Sequence, residues 1–178
     1  MIIIPKRILA IPGSIRQSSS NEALLLYIKD TYKGEFDVTI YDGLALLPHF
    51  NPDLDKGEVH QAVVDLRLRI QQADAVIICT PEYVYSLPAS LKNAIEWTVS
   101  TTVFSGKPVG LIVASGLGDK AFEALVLIMT TLYASVQASS NLLIRGARAK
   151  LVENRLTDPT TIEEIDAVMA SLKAAMNK

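Results

Sequence analysis

The chain has 178 residues, 49% of them apolar and 20% charged, with a formal net charge of −2. That balance fits one globular domain over residues 1–178 and excludes intrinsic disorder, and the slight negative charge gives no electrostatic case for nucleic acid or an anionic membrane surface. The one cysteine, Cys79, excludes an internal disulfide and a multi-cysteine metal or iron–sulfur centre, and it suits a reducing compartment.

The opening MIIIPKRILAIPG reads as a first strand rather than a signal peptide, because its basic pair follows Ile2–Ile4 instead of preceding an apolar run. The strand proper is Arg7–Ile11, ending at Pro12-Gly13. A helix starts near Ser19–Asn21 and carries Leu24, Leu25, Ile28 and Tyr32 on one side. Asp37–Tyr41 is the second strand, followed by a turn at Asp42-Gly43 and a loop over Leu44–Lys56. A helix from about Glu58 to Gln72 leads to Ala75–Cys79, an unbroken apolar run of the kind buried on both faces.

Pro88–Ser100 predicts a third helix, Val109–Ala114 a fourth strand, Asp119–Val136 a fourth helix and Leu142–Ile144 a fifth strand. The apolar stretch Ala121–Val136 is shorter than the roughly 20 residues of a membrane crossing, so a buried helix and residence in the cytoplasm are expected. Asp158 as N-cap, Pro159, Glu163 and Glu164 mark the start of the last helix. Five β/α units in alternation specify an α/β fold: a three-layer, doubly wound parallel five-stranded sheet. Order 2-1-3-4-5 suits this size and places a ligand between strands one and three.

Three loops at that edge carry the chemistry. The first, Gly13–Asn21, offers the hydroxyls of Ser14, Ser18, Ser19 and Ser20, the Asn21 amide, the Arg16 guanidinium and a helix start, the elements of a cradle for a phosphate monoester. Neither a dinucleotide fingerprint nor a Walker loop is present. In the second, Pro81-Glu82-Tyr83-Val84-Tyr85-Ser86-Leu87-Pro88, two prolines stiffen a backbone that can face a flat heterocycle, with tyrosine rings beside it. The third, Ser115-Gly116-Leu117-Gly118, has glycines that allow close approach, a weak signal on its own. Trp97 and Cys79 are expected in the core. The oxygen-bearing residues Asn51, Asp53 and Asp55 frame no calcium loop, since Lys56 and Ala62 stand where glycine and glutamate are needed.

The motifs GSIRQSSSN (Gly13–Asn21), PEYVYSLPASLKNAIEW (Pro81–Trp97) and GKPVGLIVASG (Gly106–Gly116) resemble the NADPH-dependent FMN reductase family, whose members include flavin, quinone, chromate and azo-dye reductases on the flavodoxin-like fold. The resemblance implies that Ser14, Arg16, Ser19 and Asn21, with Ser18 and Ser20 beside them, hold the phosphate of FMN. It implies that Pro81, Glu82, Tyr83, Val84 and Ser86 flank the isoalloxazine, largely through backbone amides, and that Ser115 and Gly116 touch its far side. Val84 stands where the family usually has Asn, and the glycine run after the fourth strand is reduced.

The implied activity is hydride transfer from NAD(P)H to bound FMN and then electron transfer to a small-molecule acceptor, a flavin, quinone, azo compound or metal oxyanion. No catalytic side chain is expected, because the flavin carries the chemistry. The apolar girth of the Asp119–Val136 helix, and the family's dimers, imply a homodimer or homotetramer through segments 87–100 and 119–136. Two other classes stay open from the sequence: a flavodoxin-type electron carrier without NAD(P)H oxidation of its own, and a non-enzymatic flavin-binding interaction module.

Overall fold

The computed structural model describes residues 5–177, so Ile2–Ile4 of the expected first strand lie outside the described residues. Strands β1 (Lys6–Pro12), β2 (Phe36–Ile40), β3 (Ala75–Thr80), β4 (Pro108–Ser115) and β5 (Ser135–Arg145) form one sheet in the order β2-β1-β3-β4-β5, as expected. Each neighbouring pair is parallel.

Side-chain alternation along the strands builds two cores. Ile8, Ala10, Ile77, Cys79, Ile112 and Ala114 face α1 (Ser20–Thr31) and α5 (Pro159–Met176), meeting Leu24, Ile28, Ile165 and Leu172. Leu9, Ile11, Val76, Ile78, Leu111 and Val113 point the other way, toward α2 (Gln61–Gln72), α3 (Ala89–Glu96) and α4 (Asp119–Thr131). β3 lies between β1 and β4, and all of its residues are buried. That is why its sequence has no polar face.

Several boundaries differ from the expected ones. The second helix begins at Gln61 rather than Glu58, where His60 Nδ1 accepts the Ala62 N–H at 3.2 Å. α3 ends at Glu96, short of Ser100, and a series of turns follows. Trp97 at that end is fully buried, donates its indole N–H to the Pro48 carbonyl at 2.7 Å and meets Phe50 edge-on. Beside it, Arg67 binds Asp55 at 2.7 Å and the Trp97 carbonyl, tying the 44–56 loop to α2 and α3. Burial works to raise the Asp55 pKa, but hydrogen bonds from Ser100 and Arg67 outweigh it and hold the carboxyl below its usual range.

The fourth helix stops at Thr131 instead of Val136. Tyr133 adopts φ +58°; its N–H bonds to the Thr130 carbonyl and the Ala134 N–H reaches back to Met129 at 3.1 Å. This is a Schellman ending with tyrosine in the position glycine usually takes, so no residue type announced it. The released chain enters β5 at Ser135, far earlier than the expected Leu142. Pairing with β4 shifts between Val109 and Leu111, leaving the polar stretch 137–139 exposed and hiding the strand's period. A further unanticipated element is the hairpin of β6 (Leu151–Val152) and β7 (Arg155–Leu156), which turns through Glu153 and Asn154, both at positive φ.

Replacing Tyr133 with Gly removes the Cβ penalty of the left-handed conformation. Tyr133→Gly should raise unfolding stability by about 1 kcal/mol, read as a higher urea midpoint at unchanged slope. A lower midpoint would contradict the Schellman account.

Candidate functional site

The site is organised where the exits of β1 and β3 touch. The Gly13 N–H bonds to the Cys79 carbonyl at 2.7 Å, continuing the ladder one residue past β1. A Cβ on Gly13 would lie 2.1 Å from Thr80 Oγ1 and 2.8 Å from Thr80 Cα, so only glycine permits the approach. Beyond it the chain turns into α1. Ser18 takes φ +54°, and Ser19 caps the helix by accepting the Glu22 N–H at 3.1 Å. Glu22 in turn accepts the Ser18 N–H at 2.7 Å, a variant of the capping box.

The residues expected to hold phosphate divide into two groups. Ser14 is nearly buried; its hydroxyl pairs with the Tyr83 hydroxyl at 3.2 Å and accepts the Arg16 N–H. The buried Asn21 side chain donates to the Ala114 carbonyl at 3.2 Å and accepts from the Cys79 thiol. These two side chains therefore bind the start of α1 to the ends of β3 and β4. Arg16, Ser18 and Ser20 are the side chains left without a hydrogen-bond partner among the described residues, and the main-chain N–H groups of Ser20 and Asn21 likewise have no protein acceptor. Such first-turn N–H groups, at the positive end of a helix, suit a dianion.

In the loop after β3, Tyr83 and Ser86 exchange both backbone hydrogen bonds around a two-residue turn, with Val84 at φ +51° and Tyr85 at φ +54°. This is type I′ geometry, which asparagine and glycine adopt easily and a β-branched residue does not. Val84 is 95% exposed at the tip. The Glu82 carboxylate accepts the N–H groups of Lys120 and Ala121 at 2.9 and 3.0 Å. It caps α4 from another loop, because the residue at the N-cap, Gly118, has no side chain to do so. Asp119 in that first turn is held below the usual carboxylate range by its hydrogen bond from Arg145.

A cavity of about 370 Å³ joins these parts. Arg16, Ser19, Ser20 and Asn21 line one end, and Pro81, Tyr83, Ser115 and Gly116 line the rest. Of the other expected residues, Ser14 lies across the loop, Ser18 borders an adjoining cavity, and Glu82, Val84 and Ser86 stand outside the lining. The wall also contains Gly146, Ala147, Arg148 and Ala149 from the segment after β5. Sequence alone does not reach them, because the polar residues at 137–140 make β5 look shorter than it is; Gly146 just past an apolar run is the available signal.

The donor set fits FMN. Hydroxyls, a guanidinium and free helix N–H groups sit at one end, with a tyrosine ring and small residues along the rest. Cys79 contributes no nucleophile, since complete burial pushes its thiol pKa far up.

The profile of the NADPH-dependent FMN reductase family matches residues 6–148. The NADH:(hydroxy)cinnamate reductase subunit CrdA of Vibrio ruber is 33% identical over 90% of this chain and 82% of that protein. The NADH-dependent flavin reductase subunit 2 of Lactobacillus johnsonii is 30% identical over 90% of this chain and 91% of its own. The quinone reductase of Escherichia coli is 35% identical over 63% of this chain and 61% of that protein. Among solved structures, FerB of Paracoccus denitrificans, a flavoenzyme NAD(P)H:(acceptor) oxidoreductase, matches with a TM-score of 0.79 at 26% identity, covering 97% of this chain and 96% of that one.

Two glycines provide a matched test of the β1–β3 contact. Gly13→Ala should cost about 2–3 kcal/mol of stability through overpacking against Thr80, whereas Gly34→Ala, which meets nothing within 4 Å, should stay within about 0.5 kcal/mol of the parent. Equal effects in chemical denaturation would show that the approach is not tight.

Proposed function

This chain belongs to the NADPH-dependent FMN reductase family and is an FMN-dependent NAD(P)H oxidoreductase; we propose that its FMN lies along the cavity between the three loops and that its acceptor is a small molecule of the flavin, quinone, azo or metal-oxyanion type. The observation that supports this placement is the continuity of one cavity from the helix start at Ser19–Asn21 to Tyr83 and Ser115-Gly116.

In this reading the N–H groups of Ser20 and Asn21, the hydroxyls of Ser19 and Ser20, and Arg16 hold the phosphate. Ser19 Oγ accepts from Glu22 and keeps its own hydrogen to donate. Pro81 and Tyr83 flank one side of the ring, with Ser115 and Gly116 on the other. Ser14 positions Tyr83 through the hydroxyl pair, and Glu82 fixes the distance from this loop to α4. Bound FMN supplies the hydride acceptance from the nicotinamide nucleotide and the onward electron transfer. The protein's share is placement, hydrogen bonding and exclusion of water.

α4 buries Ala121, Leu125 and Met129 and leaves Leu127 67% exposed; Tyr133 just beyond and Val99 after α3 are exposed as well. The proposal extends to a homodimer or homotetramer through these segments. No helix among the described residues is long and apolar enough to cross a membrane. Work in the cytoplasm is part of the same proposal.

The decisive experiment for the activity is anaerobic mixing of the FMN-loaded protein with NADPH and with NADH. The yellow absorption should bleach rapidly with at least one of them. Unchanged colour with both would leave an electron carrier or an interaction module. For the assembly, sedimentation at micromolar protein should give a dimer or larger, and a monomer would overturn that part.

A further inference from the structure

The phosphate end of the cavity is short of positive charge if only the first loop is counted. Arg16 is that loop's cation, but the Glu22 carboxylate is folded back onto the Ser18 N–H, so the pair sums to zero. The helix end adds roughly half a charge. A phosphate monoester carries about −1.5 to −2 at neutral pH. The neighbouring cations are already engaged: Arg145 with Asp119 at 2.5 Å, Lys120 with Glu123 at 2.8 Å, and Lys150 with Asp158 at 3.0 Å.

Arg148 is different. No carboxylate of the described residues pairs with its guanidinium, and it is exposed. It lines the cavity that holds Ser19, Ser20 and Asn21, and also a second cavity of about 440 Å³ bordered by Gln17, Ser18 and Asn154. Arg16, Ser20 and Arg148 are common to both. Its backbone is held firmly while its head is free. The Gly146 N–H bonds to the Gly116 carbonyl, the Ala149 N–H to Gly146, and the Leu151 N–H to the carbonyl of Arg148 itself. The Lys150–Asp158 pair anchors the next residues to the start of α5.

We propose that Arg148 is a second phosphate-binding guanidinium, meeting the FMN phosphate from the β5 side opposite Arg16 and making the site selective for phosphorylated flavin over riboflavin. The proposal rests on the FMN reading above. Arg148 supplies the positive charge that the first loop cancels internally, and a planar guanidinium can engage two phosphate oxygens at once.

The test is titration of the flavin-free protein with FMN and, separately, with riboflavin, followed by quenching of flavin fluorescence. Arg148→Gln should weaken FMN binding by about tenfold or more, with riboflavin affinity held within about twofold, and Arg148→Lys should fall between, as expected for a point charge without the fork. The FMN loss should shrink as salt rises. Equal weakening of both flavins, unchanged FMN affinity, or an effect confined to the KM for NADPH would overturn the proposal. A parent protein that binds FMN while Arg148→Gln makes no difference overturns this inference alone; a parent that binds neither flavin overturns the cofactor placement with it.

Discussion

The exits of β1 and β3 lie so close that a single methyl group on Gly13 would occupy the space of the Thr80 side chain. This contact sits at the place where the sheet changes winding direction, between the strands whose crossovers leave toward opposite faces. Because Gly13 stays on the β3 ladder, the chain turns into α1 directly over the sheet edge. The helix start then falls beside the loop after β3 instead of out in solvent. Asn21 completes the arrangement from within α1, bridging the Ala114 carbonyl on β4 and the Cys79 thiol on β3. One buried amide thus sets the spacing of three elements, and losing it would leave a carbonyl without its donor in the core.

The loop after β3 is held by a different balance. Val84 and Tyr85 both occupy left-handed backbone, a strain of order 1–2 kcal/mol at each position that the paired Tyr83–Ser86 hydrogen bonds maintain. Glu82 couples this turn to α4 through two N–H groups, and Ser14 couples it to the first loop. Each loop is therefore fixed by a partner on another loop. Such cross-bracing preorganises the loops around the cavity, which is how a protein contributes position to a bound cofactor.

Much of this was legible in the residues. The apolar run at 75–79, the Ser19–Asn21 helix start and the Asp158-Pro159 start announce the central strand, the first helix and the last helix through period and capping chemistry. Tyr133 hid the end of α4, because a Schellman ending normally shows itself by glycine. Gln137, Ser139 and Ser140 concealed the first half of β5, where pairing shifts and the hydroxyls of exposed Ser139 and buried Ser140 both bond Ser171. With β5 shortened, the wall at 146–149 had no strand to be attached to, and Arg148 could not be placed. Burial direction was equally invisible. Ser14, Asn21 and Glu82 look like ligand groups in sequence, yet their side chains are committed to protein partners that only the three-dimensional arrangement supplies.

The central claim is that a flavin phosphate docks on the turn that Gly13 presses against β3. Amide chemical-shift mapping by NMR, comparing FMN with riboflavin, addresses it most directly. The difference between the two ligands should concentrate in the amides of residues 14–21, with shifts common to both at 81–86 and 115–116. Differences gathered instead at the groove between β1, β2 and α2, lined by Arg7, Asp37 and Arg69, would contradict it.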